Sequence, residues 1–258
     1  MKYTFEDLKD IMKKLRGEGG CPWDAEQTHQ SIKDCLIEEA YETAEAIDSG
    51  VDVKMYDELG DVLLQVVFHA QIASDEGRFD IDDITNAICT KMIRRHPHVF
   101  ADGNAKTSDE VLEKWDEIKK QEKGEENAAD TLMSVSSYLP SLTYAKKVQK
   151  KASKVGFDWD SWAEPLEKVS EETQELKTAL KEGTNVEEEL GDLLFSAVNV
   201  SRFAGVDPEE ALRKTTKKFI NRFKMVENMA KEEGKSLENM SLEEMDKLWD
   251  KAKIKEKQ

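Results

Sequence analysis

The chain repeats itself, and that repetition limits what it can fold into more than any other feature. Trp23-Asp24 returns as Trp159-Asp160, and Glu38-Glu39-Ala40-Tyr41-Glu42 as Glu171-Glu172-Thr173-Gln174-Glu175. Glu58-Leu59-Gly60-Asp61 returns as Glu189-Leu190-Gly191-Asp192, Lys91 and Arg95 as Lys218 and Arg222, and Trp115 as Trp249. Two copies make a tandem duplication, since a solenoid needs three or more repeats to bury a continuous core. The fold must therefore be one that about half of 258 residues can build twice. The expected domains are residues 1–122 and 140–258, joined by a polar linker over 123–139.

Within each half the period is helical. Leu8, Ile11, Met12 and Leu15 recur at 3.6-residue spacing behind a Thr4/Asp7 capping box. Leu36, Ile37, Ala40, Tyr41, Ala44 and Ile47 predict a helix ended by Gly50; Val53–Ala73 predicts another ended by Gly77. Asp80 with Asp83 opens a helix that Pro97 stops, and Thr107 with Glu110 opens one running through Lys120. In the second half, Ser161 with Glu164 opens a helix that Gly183 ends, and Asn185–Ala204 forms the next. Asp207-Pro208 and Ser241/Glu244 open two more. No segment alternates like a strand. The fold class is all-α, with two tandem helical repeats.

Charge excludes several functions. With 55 acidic against 38 basic residues the net charge is −17, the wrong sign for binding nucleic acid through its phosphates. The longest apolar run, Val62 to Ala70, is broken by Gln65 and His69 and is far shorter than the ~20 residues of a membrane span. The first residues lack a signal-peptide core. Three cysteines without metal-type spacing fit a reduced, cytoplasmic setting.

The paired acids carry the chemistry. Residues three apart on a helix lie within about 60° of each other, so Glu172 with Glu175, and Glu189 with Asp192, each share a face. Two antiparallel helices would gather four carboxylates, and each like-charge pair at about 5 Å costs roughly 3 kcal/mol at an effective dielectric of 20. Protons or a cation must offset that, and an all-oxygen donor set selects Mg²⁺ or Mn²⁺. Only four histidines, none in an ExxH arrangement, argue against a di-iron site. A solvated acidic face is the competing reading for each motif alone. Against it, both ExxD motifs run directly into apolar stretches, Val62-Leu63-Leu64 and Leu193-Leu194-Phe195. Gly60 and Gly191, each costing about 1 kcal/mol in a helix, suggest a close approach or tight packing there. Lys218 and Arg222 share a face and could take phosphate. The tryptophans could stack on a base, though packing is the simpler role for any one of them. His69 reads as a core histidine, and His96 and His98 as turn residues.

The chain resembles the MazG family of nucleoside triphosphate pyrophosphohydrolases from end to end. The markers are Gly20-Cys21-Pro22-Trp23-Asp24, Arg94-Arg95-His96-Pro97-His98-Val99-Phe100, Val155-Gly156-Phe157-Asp158-Trp159 and both EExxE and ExxD sets. The resemblance implies helical bundles completed by homodimerisation, and Mg²⁺-dependent hydrolysis between the α and β phosphates with broad tolerance of the base. It implies that Glu172, Glu175, Glu189 and Asp192 hold the metal. Lys168, Lys218 and Arg222 would contact phosphates, with Trp249 near the nucleotide. The counterparts in the first copy are Glu39, Glu42, Glu58 and Asp61 for the metal, and Lys91, Arg95 and Trp115 for the nucleotide. Glu171 or Glu188 (Glu38 in the first copy) is a candidate for orienting the attacking water.

An anionic protein can hold an anionic triphosphate only if metal bridges carboxylate to phosphate and basic residues add local charge. The second copy has Lys168 where the first has Cys35, and is the one the family leads us to expect as catalytic. The alternative from a different class is a non-enzymatic helical interaction module whose acidic faces are solvated.

Overall fold

The computed structural model describes residues 2–256, which form helices and no strand. The chain divides into two compact units, Met1–Ile118 and Lys119–Gln258, and the division falls inside a helix.

The first unit contains α1 (Phe5–Arg16), α2 (Pro22–Glu26), α3 (Lys33–Ser49), α4 (Asp52–Asp75), α5 (Ile81–Arg95), α6 (Pro97–Phe100) and most of α7 (Ser108–Lys123). Its start signals work as the sequence implies. Thr4 and Asp7 cap α1 reciprocally, and Asp80 and Asp83 do the same for α5. The antiparallel pair α3–α4 turns through Gly50, whose φ of 65° is the left-handed conformation that glycine adopts without strain. Beyond this pair, the C-terminal half of α4 packs against α1 and α5. Met12, Ile32, Val67, Phe68, Ala70, Ile72 and Ile81 close the core there. Truncating Met12 or Ile72 to alanine falls in the class of core deletions that cost about 2–5 kcal/mol.

Two polar features tie the irregular segment after α1 to α4. Arg16 donates to Asp75 (2.7 Å) and to the backbone oxygens of Asp24 and Gln27, with its guanidinium over the Phe68 ring. His29 and His69 stack in parallel with their Nδ1 atoms 2.8 Å apart. Arg78 donates to His29 Nε2, so the His29 proton sits on Nδ1 and is donated to His69. His69, read from sequence as a core histidine, is thus half-buried and hydrogen-bonded.

The second unit contains α8 (Ala128–Met133), α9 (Ser141–Ser153), α10 (Ala163–Glu182), α11 (Val186–Phe203), α12 (Pro208–Glu232), a 3₁₀ turn (Leu237–Asn239) and α13 (Leu242–Lys255). The pair α10–α11 corresponds to α3–α4, α9 to α1, α12 to α5 and α13 to α7. Its main apolar cluster sits elsewhere, between α12 and α13, from Val226, Met229, Ala230, Met240, Leu248 and Ala252. Arg202 on α11 forks onto Asp158, as Arg16 ties down the corresponding segment of the first unit.

Several details differ from the sequence expectations. The stretch 123–139, expected as linker, contains α8, because Asn127 and Asp130 cap each other across its first turn. The N-cap of α10 is Trp162, and Ser161 bonds to Glu164 from one residue earlier. Pro22 and Pro97 each start a short helix at its first position, where a missing N–H costs nothing. An alanine at Gly60 or Gly191 would meet nothing within 4 Å, so neither glycine marks tight packing within its unit. Trp23 and Trp159 are exposed instead of packed.

Burial, and then the neighbouring His29, lower the His69 pKa below 6.5. The unfolded chain then takes up more protons, so this contribution is complete above about pH 6.5 and is lost as the pH falls toward the depressed value. Replacing both histidines by glutamine keeps an amide hydrogen bond and removes the titration. Thermal unfolding followed at pH 7.5 and pH 5.5 should show the wild type losing more stability than the double variant on acidification.

Candidate metal and nucleotide site

The acids converge in both units. On α10 and α11, one carboxylate oxygen each from Glu172, Glu189 and Asp192 lies within 4.8 Å of the others; Glu39, Glu58 and Asp61 on α3 and α4 do the same. Glu172 is buried, Glu39, Glu58 and Glu189 are half-buried, and the two aspartates are exposed. The fourth acid of each set stands beside its cluster. Burial, then the charges of Glu172 and Glu189, push Glu175 above the usual carboxylate range. Burial, then Glu42 and Asp61, do the same to Glu58; burial, then Asp61 and Glu42, raise Glu39. Crowded oxygens on two rigid helices, with no nitrogen or sulfur among them, fit a hard divalent cation.

The units differ in the charge carried one turn before the Glu39/Glu172 position. Lys168, one turn before Glu172 on α10, places Nζ 2.8 Å from Glu172 Oε1 and 3.0 Å from Glu171 Oε1. Those two bonds hold the ammonium well above its ordinary pKa. In the first unit this position is Cys35, a half-buried free thiol. Glu171 is thereby an ion-pair partner on an exposed face, and Glu188 is exposed on α11.

The basic and aromatic candidates form a second grouping on a different helix pair. Arg222 of α12 lays its guanidinium over the Trp249 ring of α13 at 5.1 Å, and Phe219 packs on the same ring at 5.0 Å. Glu256 accepts from Arg222 Nε at 3.0 Å, and Arg222 and the nearby Lys218 hold its carboxyl below the usual range. Lys218 is exposed one turn before Arg222. The first unit repeats the motif with Arg95 5.9 Å from the Trp115 ring centroid and Lys91 one turn before it. His96, read from sequence as a turn residue, caps α5 and also packs edge-on against Trp115 at 4.7 Å. Sequence reasoning missed Phe219 and Glu256. The i, i+3, i+4 spacing of Phe219, Arg222 and Phe223 was a usable signal for the first, whereas nothing local marks Glu256 as a partner.

Comparison with known proteins follows the same pattern. The model of the MazG nucleotide pyrophosphohydrolase domain matches twice, at residues 27–100 and 163–227, which contain both carboxylate clusters. The chain is 50% identical over 249 residues to the nucleoside triphosphate pyrophosphohydrolase/pyrophosphatase MazG of Thermotoga maritima, covering 96% of this chain and 95% of that one. It is 43% identical to the nucleoside triphosphate pyrophosphohydrolase of Escherichia coli, over 96% and 97% of the two chains. It is also 51% identical to the uncharacterized protein YabN of Bacillus subtilis, spanning 53% of that protein's length.

The crowding of acids has a stability signature. In chelator at neutral pH, Glu39→Gln should raise the stability of the first unit by roughly 0.5 kcal/mol, the scale of a single solvent-screened charge interaction. Because the Glu39 pKa is raised, the gain should fade as the pH drops through the carboxylate range, where the native side chain is already protonated. Thermal melts across pH, with and without millimolar Mg²⁺, read both effects, and Mg²⁺ should reverse the order of wild type and variant.

Proposed function

The chain belongs to the MazG family, and on that premise we propose that it is a Mg²⁺-dependent nucleoside triphosphate pyrophosphohydrolase whose working site is in the second unit. Hydrolysis between the α and β phosphates yields a monophosphate and pyrophosphate. The observation that carries this reading is the convergence of Glu172, Glu189 and Asp192 on one point, next to Glu175. Mn²⁺ can substitute for Mg²⁺ in an all-oxygen site of this kind.

Glu172, Glu175, Glu189 and Asp192 would hold the ion, which when bound neutralises phosphate charge and lowers the pKa of a coordinated water. Lys168, Lys218 and Arg222 supply positive charge for the polyphosphate, and Arg222 must exchange Glu256 for a phosphate oxygen. Glu171 or Glu188 accepts the proton of the attacking water. The Trp249 face stacks on the base, and because every base has a π-face this contact tolerates all of them. The first unit holds metal at Glu39, Glu42, Glu58 and Asp61 and offers Lys91, Arg95 and Trp115 on its basic side.

The carboxylates and the Arg222–Trp249 pair stand on separate helix pairs, which a second copy of the chain would bring into one site. The α10–α12 segment leaves Leu190, Leu194, Phe219, Ile220 and Phe223 exposed, and Gly191 sits open among them. That much apolar surface on one unit marks an interaction face, here assigned to a homodimer. No described helix is long and apolar enough to cross a membrane. The free cysteines suit a reduced compartment, consistent with a cytoplasmic enzyme.

The test is a purified-protein assay with Mg²⁺ and a mixture of triphosphates, reading pyrophosphate and monophosphate. Absence of turnover with either Mg²⁺ or Mn²⁺ would favour the non-enzymatic helical module, and release of orthophosphate would assign a different bond. Glu172→Ala should lower turnover by about 100-fold or more, while Glu39→Ala retains most of it. Trp249→Ala should raise KM by about tenfold for purine and pyrimidine triphosphates alike, with kcat changed far less.

A further inference from the structure

The two carboxylate clusters are nearly the same in acids and different in counter-charge. Glu38, Glu39, Glu42, Glu58 and Asp61 correspond one for one to Glu171, Glu172, Glu175, Glu189 and Asp192. The second set carries a cation at Lys168, at the position that is Cys35 in the first. Its ammonium does not hang in solvent near the cluster. It sits 2.8 Å from the one buried carboxylate of the set, Glu172, and 3.0 Å from Glu171.

We infer that Lys168 acts as an internal occupant of the second cluster, holding Glu172 until a polyphosphate arrives to take its ammonium, so that this cluster loads divalent metal together with nucleotide while the first loads metal alone. The inference rests on the proposed function above, since it concerns how the same ligands are filled. A divalent ion ligating Glu172 would stand within a few ångströms of the ammonium, a separation at which the two like charges repel strongly. The ammonium therefore has to move before the ion can enter. A lysine has four rotatable side-chain bonds and a compact charge, and its nearest alternative anion in a substrate complex is a phosphate oxygen. The swing keeps both Lys168 and Glu172 paired in each state: Lys168 with Glu172 at rest, then metal with Glu172 and Lys168 with phosphate. In the first unit nothing at position 35 competes, and the same ligand set is available to an ion at any time. Lys168 is here a positioning residue, acting on metal entry through Glu172.

The experiment measures Mn²⁺ binding to the full chain from the signal of free Mn²⁺ in electron paramagnetic resonance. Glu39→Gln/Glu58→Gln provides a background in which only the second cluster binds. Adding Lys168→Met to that background should tighten Mn²⁺ binding about tenfold without nucleotide, equivalent to about 1.4 kcal/mol. Lys168→Arg should restore the weak binding, since it keeps the charge, and adding Glu172→Gln should remove the tightened site. A non-hydrolysable triphosphate analogue should increase Mn²⁺ affinity in the Lys168 background by at least about tenfold more than in the Lys168→Met background. Lys168→Gln serves as a second neutral replacement, and circular dichroism confirms that each variant is folded. The idea is overturned if neutral replacements at 168 leave Mn²⁺ affinity unchanged or weaken it, or if the second cluster already binds Mn²⁺ as tightly as the first without nucleotide. Such a result alongside normal pyrophosphate release would remove this inference and leave the proposed activity standing. Absence of Mn²⁺ binding in every variant, together with absence of turnover, would remove both.

Discussion

Like charges held close together on rigid supports dominate this molecule. Each unit spends its most regular element, an antiparallel helix pair, on bringing carboxylates within 4.8 Å of one another. Water and mobile ions soften that repulsion at the exposed aspartates but much less at Glu172. The surrounding structure answers it in two ways. Glu39, Glu58 and Glu175 rise toward protonation, and Lys168 inserts a positive charge at the deepest point of the second set. The apolar cores lie away from these acids, along the far half of α4 and between α12 and α13, where they can support the frame without depending on the charge balance.

Much of this is legible in the sequence because it follows from periodicity. Capping boxes at Thr4, Asp80 and Ser241 set helix starts to the residue, and Gly50 and Gly183 end helices in the left-handed conformation. The i, i+3 spacing of the acids fixes their shared face without knowledge of the fold. What sequence does not show is partnership across long separations. Arg16 with Asp75, His29 with His69 and Arg222 with Glu256 join residues 59, 40 and 34 positions apart, and no local rule selects those pairs. Proline was the other blind spot: read as a stop at Pro97, it ends one helix and starts the next within two residues. Gly60 and Gly191 suggest a close approach or tight packing, and within each unit their faces are open.

Duplication has preserved the acidic frame and relaxed its details. The acids Glu39 and Glu58 are separated by 19 positions, Glu172 and Glu189 by 17, yet both pairs meet. The difference lies at the start of the second helix: Glu58 is the seventh residue of α4 and Glu189 the fourth of α11, after turns of Gly50–Val51 and of Gly183–Asn185, the latter with two residues in the left-handed region. What is retained between the copies is the meeting point of the oxygens, and what drifts is the path by which the backbone delivers them. Lys168 against Cys35 is one such drift with a chemical consequence.

One feature of the fold bears on how the chain can be dissected. The division between the compact units lies between Ile118 and Lys119, in the middle of α7. A truncation placed there would leave a severed helix on one fragment and a dangling half-helix on the other, each with raw backbone groups that had been paired. Gly124, with φ 61°, is where the chain actually leaves that helix. A scissile position at Gly124, just outside the last turn, lets each fragment keep its helices whole.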